Sequence, residues 1–150
     1  MRYFEDIEIG SKSSFGHYEV TRDEVLAFAT KFDPQPFHLD DDAAASTHFG
    51  RLSASGWHTT AMTMAMTVAN MGTSEDHAGL GGIGVDELRW LKPVHPGDVL
   101  RCETEIIDKI PSRSRPEMGS FRNRTTVFNQ DNVPVLTYIT IALVKTRPLD

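Results

Sequence analysis

The sequence predicts an α+β fold: a long, curved antiparallel β-sheet wrapped around one central, mostly uncharged α-helix. Two observations predict it. Residues 52–74, LSASGWHTTAMTMAMTVANMGTS, contain no Asp, Glu, Lys or Arg, so other elements can approach a helix there on nearly all sides. The second half of the chain then carries four stretches rich in Val, Ile, Thr and aromatic residues, joined by connections short enough to require antiparallel pairing. A length of 150 residues suits a single domain, 1–150, large enough to bury most of its unfolded surface.

The elements follow in chain order. TRDEVLAFATKF opens with Thr21 and carries Glu24 three residues on, a capping-box pattern, then sets Val25, Phe28, Ala29 and Phe32 on one helical face. LDDDAAASTHFG reads as a second, short helix: Asp40, Asp41 and Asp42 suit the positive end of its dipole, and Gly50 stands past its end. The long helix starts near Gly56 and stops at Gly72, with Met62, Met64, Met66 and Met71 set among small Ala and Thr. It does not read as a membrane span, because serines, threonines, His58 and Asn70 interrupt the roughly 20 apolar positions a span needs. AGLGGIG is a loop by its glycines, and strands are predicted at 83–92, 98–109, 120–129 and 134–146. Leu100, Cys102, Thr104 and Ile106 fall on one strand face, and Arg101, Glu103 and Glu105 on the other. NQDNVP supplies the last turn, and IPSRSRPEMG, 110–119, reads as a longer flexible connection.

Charge and cysteine content exclude some partners. A net charge of -6 and a pI of about 5.4 argue against nucleic acid or an anionic membrane, both of which need a positive field. Cys102 is the lone cysteine, so no internal disulfide forms, which suits a reducing compartment. The start, MRYFEDIEIG, carries acids and no apolar run of signal-peptide length, so a cytoplasmic protein is expected.

DPQPFH, residues 33–38, places Asp33 and His38 on a stretch stiffened by Pro34 and Pro36. Spacing alone admits two readings. Either Asp33 stabilises a turn and His38 lies on the surface, or the two residues hold one water between them. In the second, the carboxylate accepts a hydrogen bond from the water, and an imidazole, with an unperturbed pKa of about 6.5, exchanges protons near neutral pH. Stiff prolines would serve that role, since a positioning error of about 1 Å can cost roughly 100-fold in rate.

Two longer stretches carry a resemblance. FDPQPFHLDDDAAASTHFGRLSASGWH, together with WLKPVHPGD, resembles the MaoC-like dehydratases, relatives of the (R)-specific enoyl-CoA hydratases, and the helix-and-sheet combination resembles the hotdog fold. The likeness covers nearly the whole chain. Its most specific part is an Asp, any residue, Asn, Pro, any residue, His motif, with a glycine about eighteen positions further on at the start of the central helix; Asp33, Pro36, His38 and Gly56 match. Gln35 departs from the family's Asn, offering the same amide on a longer arm, and Lys31 and Phe32 replace small residues. The resemblance implies addition or removal of water across the double bond of a 2-enoyl-CoA thioester, with an (R)-hydroxyacyl product. It gives Asp33 and His38 the water-activating role and sets the Gly56 N–H against the thioester carbonyl, where a helix N-terminus offers free donors and no side chain obstructs the substrate. The bland reading of Gly56 is a glycine that lets the helix pack tightly. The resemblance also implies pairing into a homodimer or higher homo-oligomer, and no cofactor beyond the CoA that is part of the substrate.

Further substrate-binding candidates surround these residues. Gln35 lies within the motif and Trp57 beside Gly56, and His58, in the first turn of the long helix, either lines the pocket or is a hydrogen-bonded core histidine. Arg89, Lys92, Arg113 and Arg115, with Arg122 and Arg124, are candidates for the CoA phosphates despite the acidic total. Ser53 and Ser55 read as helix caps. His38, Asp40 and Asp42 are metal-ligand types, but the carboxylates suit a helix start and no second cluster completes a shell, so no metal is expected. Two other functions stay open: a hotdog acyl-CoA thioesterase, attacking the carbonyl carbon in the same cradle, and a non-catalytic acyl-thioester binding domain.

Overall fold

Alternation of apolar residues commits the second half of the chain to strands. In the computed structural model, which describes residues 1–73 and 75–149, β1 (Lys12–Glu19), β2 (Gly79–Trp90), β3 (Val99–Pro111), β4 (Met118–Phe128) and β5 (Pro134–Lys145) form one antiparallel sheet in the order β1-β3-β4-β5-β2. The β4–β5 turn is closed by Asn129, whose side-chain oxygen accepts from the N–H groups of Asp131 and Val133. On the concave face Leu100, Cys102, Val127, Leu136 and Tyr138 pack against Met62 and Met66 of α3 (Gly56–Met71). Each fully buried Leu, Val or Met contributes about 1.5–3 kcal/mol. Burial also pushes the Cys102 thiol up to about 11, so this cysteine is an inert core residue.

The other end of the trough is closed by the start of the chain. Tyr3, Phe4 and Ile7 pack on Ala78, Ile106, Phe121 and Val144. A Cβ on Gly119 would meet the Phe4 ring at 2.5 Å, so that ring lies flat on the β4 backbone.

The helices match their sequence signals in part. α1 (Arg22–Phe32) is capped by Thr21, whose hydroxyl accepts from the Glu24 N–H at 3.3 Å. The Glu24 carboxylate does not return to the cap; it accepts the Tyr18 hydroxyl at 2.6 Å, and that bond pushes the phenol up to about 12. Val25 and Ala29 are buried as the face predicts, but Phe32, the last residue of the helix, is 63% exposed and meets Phe28 at 5.0 Å. α2 (Asp41–Ala45) is shorter than LDDDAAASTHFG suggests; Asp40 caps it by accepting from Ala43 N–H at 2.9 Å, and residues after Ser46 form turns.

One strand, β1, is not predicted from sequence, and two further expectations, for β2 and for the β3–β4 connection, are corrected. β1 has no clean alternation in sequence, and only Phe15 and Tyr18 face the core through a register shift between them. β2 begins at Gly79, inside the glycine-rich stretch that reads as a loop, and pairs irregularly with β5 from Gly79↔Val144 onward. The β3–β4 connection shrinks to residues 112–117 and is tied by Ser112 N–H to the Met118 carbonyl at 3.2 Å, so it is an ordered hairpin end. α3 keeps its predicted bounds, yet within one chain it is buried on one side only: Met64 (47%), Val68 (56%) and Met71 (43%) stay exposed. Among the described residues no helix is long and apolar enough to cross a membrane.

Candidate active site

The loop after α1 is built by its prolines and backbone turns. Asp33 N–H closes on the Ala29 carbonyl and Gln35 N–H on the Asp33 carbonyl at 2.8 Å, after which Pro36 starts a single 3-10 turn, Pro36–His38. A proline is tolerated there because its missing N–H would have no helical partner. The turn drives His38 inward, with Phe37 edge-on at 4.6 Å and Phe49 at 5.7 Å.

Both nitrogens of His38 have a defined surrounding. Nδ1 lies 2.8 Å from the Ser53 carbonyl oxygen and Nε2 3.5 Å from Asp33 Oδ2. A carbonyl only accepts, so Nδ1 carries the hydrogen and, in the neutral ring, Nε2 presents its lone pair toward the carboxylate. Asp33 is held equally firmly: Oδ1 accepts from Gln35 Nε2 at 2.6 Å and Oδ2 from the Ser55 hydroxyl at 2.7 Å. Partial burial works to raise the Asp33 carboxyl. The bonds from Gln35 and Ser55 and the nearby imidazole outweigh it and hold the group below the usual carboxylate range.

Residues 52–55, which carry two of these partners, are themselves clamped by the loop after β2. His95 Nδ1 lies 2.8 Å from the Leu52 carbonyl and Ala54 N–H donates to the Val94 carbonyl at 2.7 Å. The loop is braced by the buried Asp98, which accepts from His95 N–H and Gln130 Nε2. WLKPVHPGD is therefore the support on which the Ser53 and Ser55 contacts rest.

α3 begins directly after Ser55. No side chain caps it, because the Ser55 hydroxyl is committed to Asp33, so the first-turn N–H groups keep their donor capacity beside the Asp33–His38 pair. The sequence reading of Ser55 as a cap is corrected on that ground. Gly56 is corrected in its physical reason: a Cβ there would lie 2.5–2.9 Å from the Trp90 indole, so the room gained by lacking a side chain is filled by Trp90. Tight packing, the bland reading, accounts for the glycine.

The remaining candidates divide. Gln35 belongs to the site, though its amide reaches the carboxylate rather than standing free. Trp57, 58% exposed, lies beside Gly56 and meets Trp90 edge-on at 5.0 Å. His58 is neither open pocket wall nor hydrogen-bonded core residue: it is buried, stacked on Phe28 at 4.7 Å, and its Nδ1 has no partner among the described residues. Arg89 adjoins Trp90 in sequence but points to the convex side, where a pocket of about 270 Å³ is lined by Glu87, Arg124 and Thr137 as well. Lys92 is exposed just past β2. Arg113 and Arg115 are not brought to the site at all. They occupy the hairpin at the far end of the 13-residue β3, roughly 40 Å along the strand at about 3.3 Å per residue, and Arg115 pairs with Glu117 at 2.7 Å. Arg122 is paired with Asp86 at 2.8 Å and Arg124 with Glu105 at 3.8 Å. Sequence reasoning singled out WLKPVHPGD but gave no role to its Trp90 and His95, and it missed Thr60; the Trp90–Thr60 and His95–Leu52 contacts span 30 and 43 positions.

A five-stranded antiparallel sheet curled around one helix is the hotdog architecture, and here a carboxylate–imidazole pair stands at that helix's first turn. The chain belongs to the MaoC-like dehydratase family: the MaoC like domain matches residues 6–127. It is similar to a MaoC-like dehydratase from Rhodospirillum rubrum, 37% identical, with a TM-score of 0.87 over 99% of this chain and 100% of that one. A 3-hydroxybutyryl-CoA dehydratase of Methylorubrum extorquens is 31% identical over 78% of this chain and 71% of the relative. An (R)-hydratase from A. caviae involved in PHA biosynthesis is 25% identical, with a TM-score of 0.65 over 95% of this chain and 99% of that one.

Proposed function

We propose that the protein adds water to, or removes it from, a 2-enoyl-CoA thioester, with Asp33 and His38 as the water-activating pair and the Gly56 N–H as the donor to the thioester oxygen. The observation that carries this reading is the 3.5 Å approach of two acceptors, Asp33 Oδ2 and His38 Nε2. One water donating a hydrogen to each satisfies both and turns its own lone pairs outward, toward a substrate carbon. As the water oxygen bonds to the β-carbon, His38 Nε2 takes its proton and negative charge gathers on the thioester oxygen. The resulting imidazolium is stabilised by the adjacent carboxylate. A proton returned from this pair to the α-carbon collapses the enolate and completes addition of H and OH; dehydration runs the same steps backward. A helix N-terminus suits the transient oxyanion, and losing one such donor typically costs about 3 kcal/mol of barrier.

The family membership and the dehydratase and hydratase relatives support this chemistry, and the (R)-hydroxyacyl configuration is carried over from the (R)-hydratase likeness alone. No cofactor beyond the substrate's own CoA enters the scheme. Lys92, exposed two residues past Trp90, is the basic residue retained for the CoA phosphates, and Arg89, on the convex side, is set aside. A homodimer completes the proposal: the uncharged, half-exposed side of α3 and the free edge of β2, with Leu80 (40%), Ile83 (62%) and Val85 (53%) exposed, support it. Light scattering after gel filtration checks that state. The central test is incubation with crotonyl-CoA. Loss of the conjugated absorbance with no free thiol is expected; thiol release without hydration assigns a thioesterase instead, and binding with neither leaves a non-catalytic acyl-thioester domain.

A further inference from the structure

We propose that Trp90 and Thr60 act as positioning residues that set the orientation of the Gly56 amide, making the first turn of α3 a clamped rather than a free helix end. The proposal rests on the hydratase reading of that turn. Its basis is one hydroxyl with two partners. Thr60 Oγ1 donates to the Gly56 carbonyl at 3.0 Å and accepts from Trp90 Nε1 at 3.2 Å. A threonine hydroxyl has a single hydrogen, so donating it to the carbonyl leaves its lone pairs for the indole, and the two bonds reinforce each other.

The indole adds a steric contact to the polar one. Its five-membered ring and the ring-fusion carbons lie where a Gly56 Cβ would stand, at 2.5–2.9 Å, so the ring is seated on the Gly56 Cα. Trp57 meets the same indole edge-on at 5.0 Å, which limits its tilt. On the other side of the peptide, Ser55 is tied to Asp33 Oδ2 at 2.7 Å. Gly56 is therefore fixed through its carbonyl, through its Cα and through the preceding residue. The Gly56 N–H shares a plane with the Ser55 carbonyl, which accepts from Thr59 N–H at 3.0 Å, and the holds on the Gly56 Cα and carbonyl restrain the two dihedrals that join this plane to the next, so the N–H direction is fixed from both sides. A glycine, the residue with the widest conformational freedom, is held at a helix start by its surroundings rather than by its own backbone. Thr60 and Trp90 need not touch substrate for this effect. They act through Gly56, and positioning of that kind appears in kcat more than in KM.

The experiment is a set of conservative variants assayed for crotonyl-CoA hydration, with melting temperature measured alongside. Thr60→Val removes both bonds at nearly constant volume and Thr60→Ser restores them. The expected result is a fall of about tenfold in kcat for T60V with KM nearly unchanged, and recovery to within about twofold for T60S. Equal kcat for T60V and wild type overturns the proposal. A second arm asks why residue 56 is glycine. Gly56→Ala is expected to lower kcat by roughly 100-fold in wild type but only about twofold further in a Trp90→Leu background, itself about tenfold down for want of the indole N–H, since the added methyl then has room. If the double variant is as poor as G56A, the indole is not what demands the glycine and the steric half of the clamp falls. Should G56A fail to fold, Trp90→Phe replaces it: it keeps an aromatic ring, loses the N–H, and is expected to reproduce the T60V loss. Trp57 and Trp90 are the chain's two tryptophans, so emission reports on the clamp without substrate, and T60V is expected to shift it. Wild-type protein that hydrates no enoyl-CoA sinks the functional reading. Active wild type with unaltered T60V sinks only the clamp.

Discussion

Two histidines in this molecule are equally hidden, His38 at 5% and His58 at 6% exposure, and both lie close to the first turn of α3. They differ in what they touch. The Nδ1 of His38 is bonded to the Ser53 carbonyl and its Nε2 faces a carboxylate, whereas the Nδ1 of His58 is without a partner and the ring stacks on Phe28 with planes 7° apart. Burial lowers the affinity of His58 for a proton, with Glu24 opposing the effect weakly, so the ring behaves as one more aromatic plate between α1 and α3. Burial thus says little about chemistry; the partners decide whether an imidazole is prepared to exchange a proton.

The contrast can be broken or sharpened by substitution. His38→Gln should cause the largest effect, a fall in hydration of about 1000-fold with the melting temperature little changed; a loss under tenfold would remove the imidazole from the reaction. Ser55→Ala comes next, at about tenfold, because it removes one of the donors on Asp33. Its pH profile carries a sign. A carboxyl held below its usual range contributes stability that is present above its unfolded value, about 3.9, and lost as pH falls through the folded value. S55A should therefore raise the pH at which activity and stability fail on the acid side, as Gln35→Ala should to at least the same degree. An unmoved acid limb would mean that Asp33 does not govern it. His58→Phe should be mildest, leaving kcat within about threefold. For a histidine whose folded value is lowered, the stabilising contribution is present above the ordinary imidazole value of about 6.5 and is lost as pH drops below it. Melting curves at pH 7 and pH 5 should accordingly differ less in H58F than in wild type, by about 2 °C.

How much of this was written in the sequence varies with the range of the interactions. The bounds of α3, the Asn129 turn and the inward set of Leu100 and Cys102 were legible because local pattern and tertiary burial agree there. The Asp33–His38 pair was legible from its prolines and, more firmly, from the family motif. β1 was not: KSSFGHYE has little alternation, and its place depends on pairing with β3, some ninety residues away. The glycines of β2 read as a loop because they are poor strand formers, yet at a sheet edge pairing with β5 overrides that preference. Ser55 looked like a cap because every residue before a helix does; its true partner lies 22 positions upstream. The place of the basic hairpin, with Arg113 and Arg115, was not legible since charge in a sequence carries no direction, and within one chain the strands send it to the opposite end of the trough.

Ser55 and Gly56 are adjacent, and that adjacency has an arithmetic of its own. The residue that steadies the acid and the residue proposed to steady the oxyanion share a covalent bond, with α-carbons about 3.8 Å apart. A rigid ruler of that kind cannot be stretched by loosening the surrounding loops. Drift in the rest of the barrel-like shell would move both halves of the reaction together, so their mutual spacing is the last quantity this scaffold would lose.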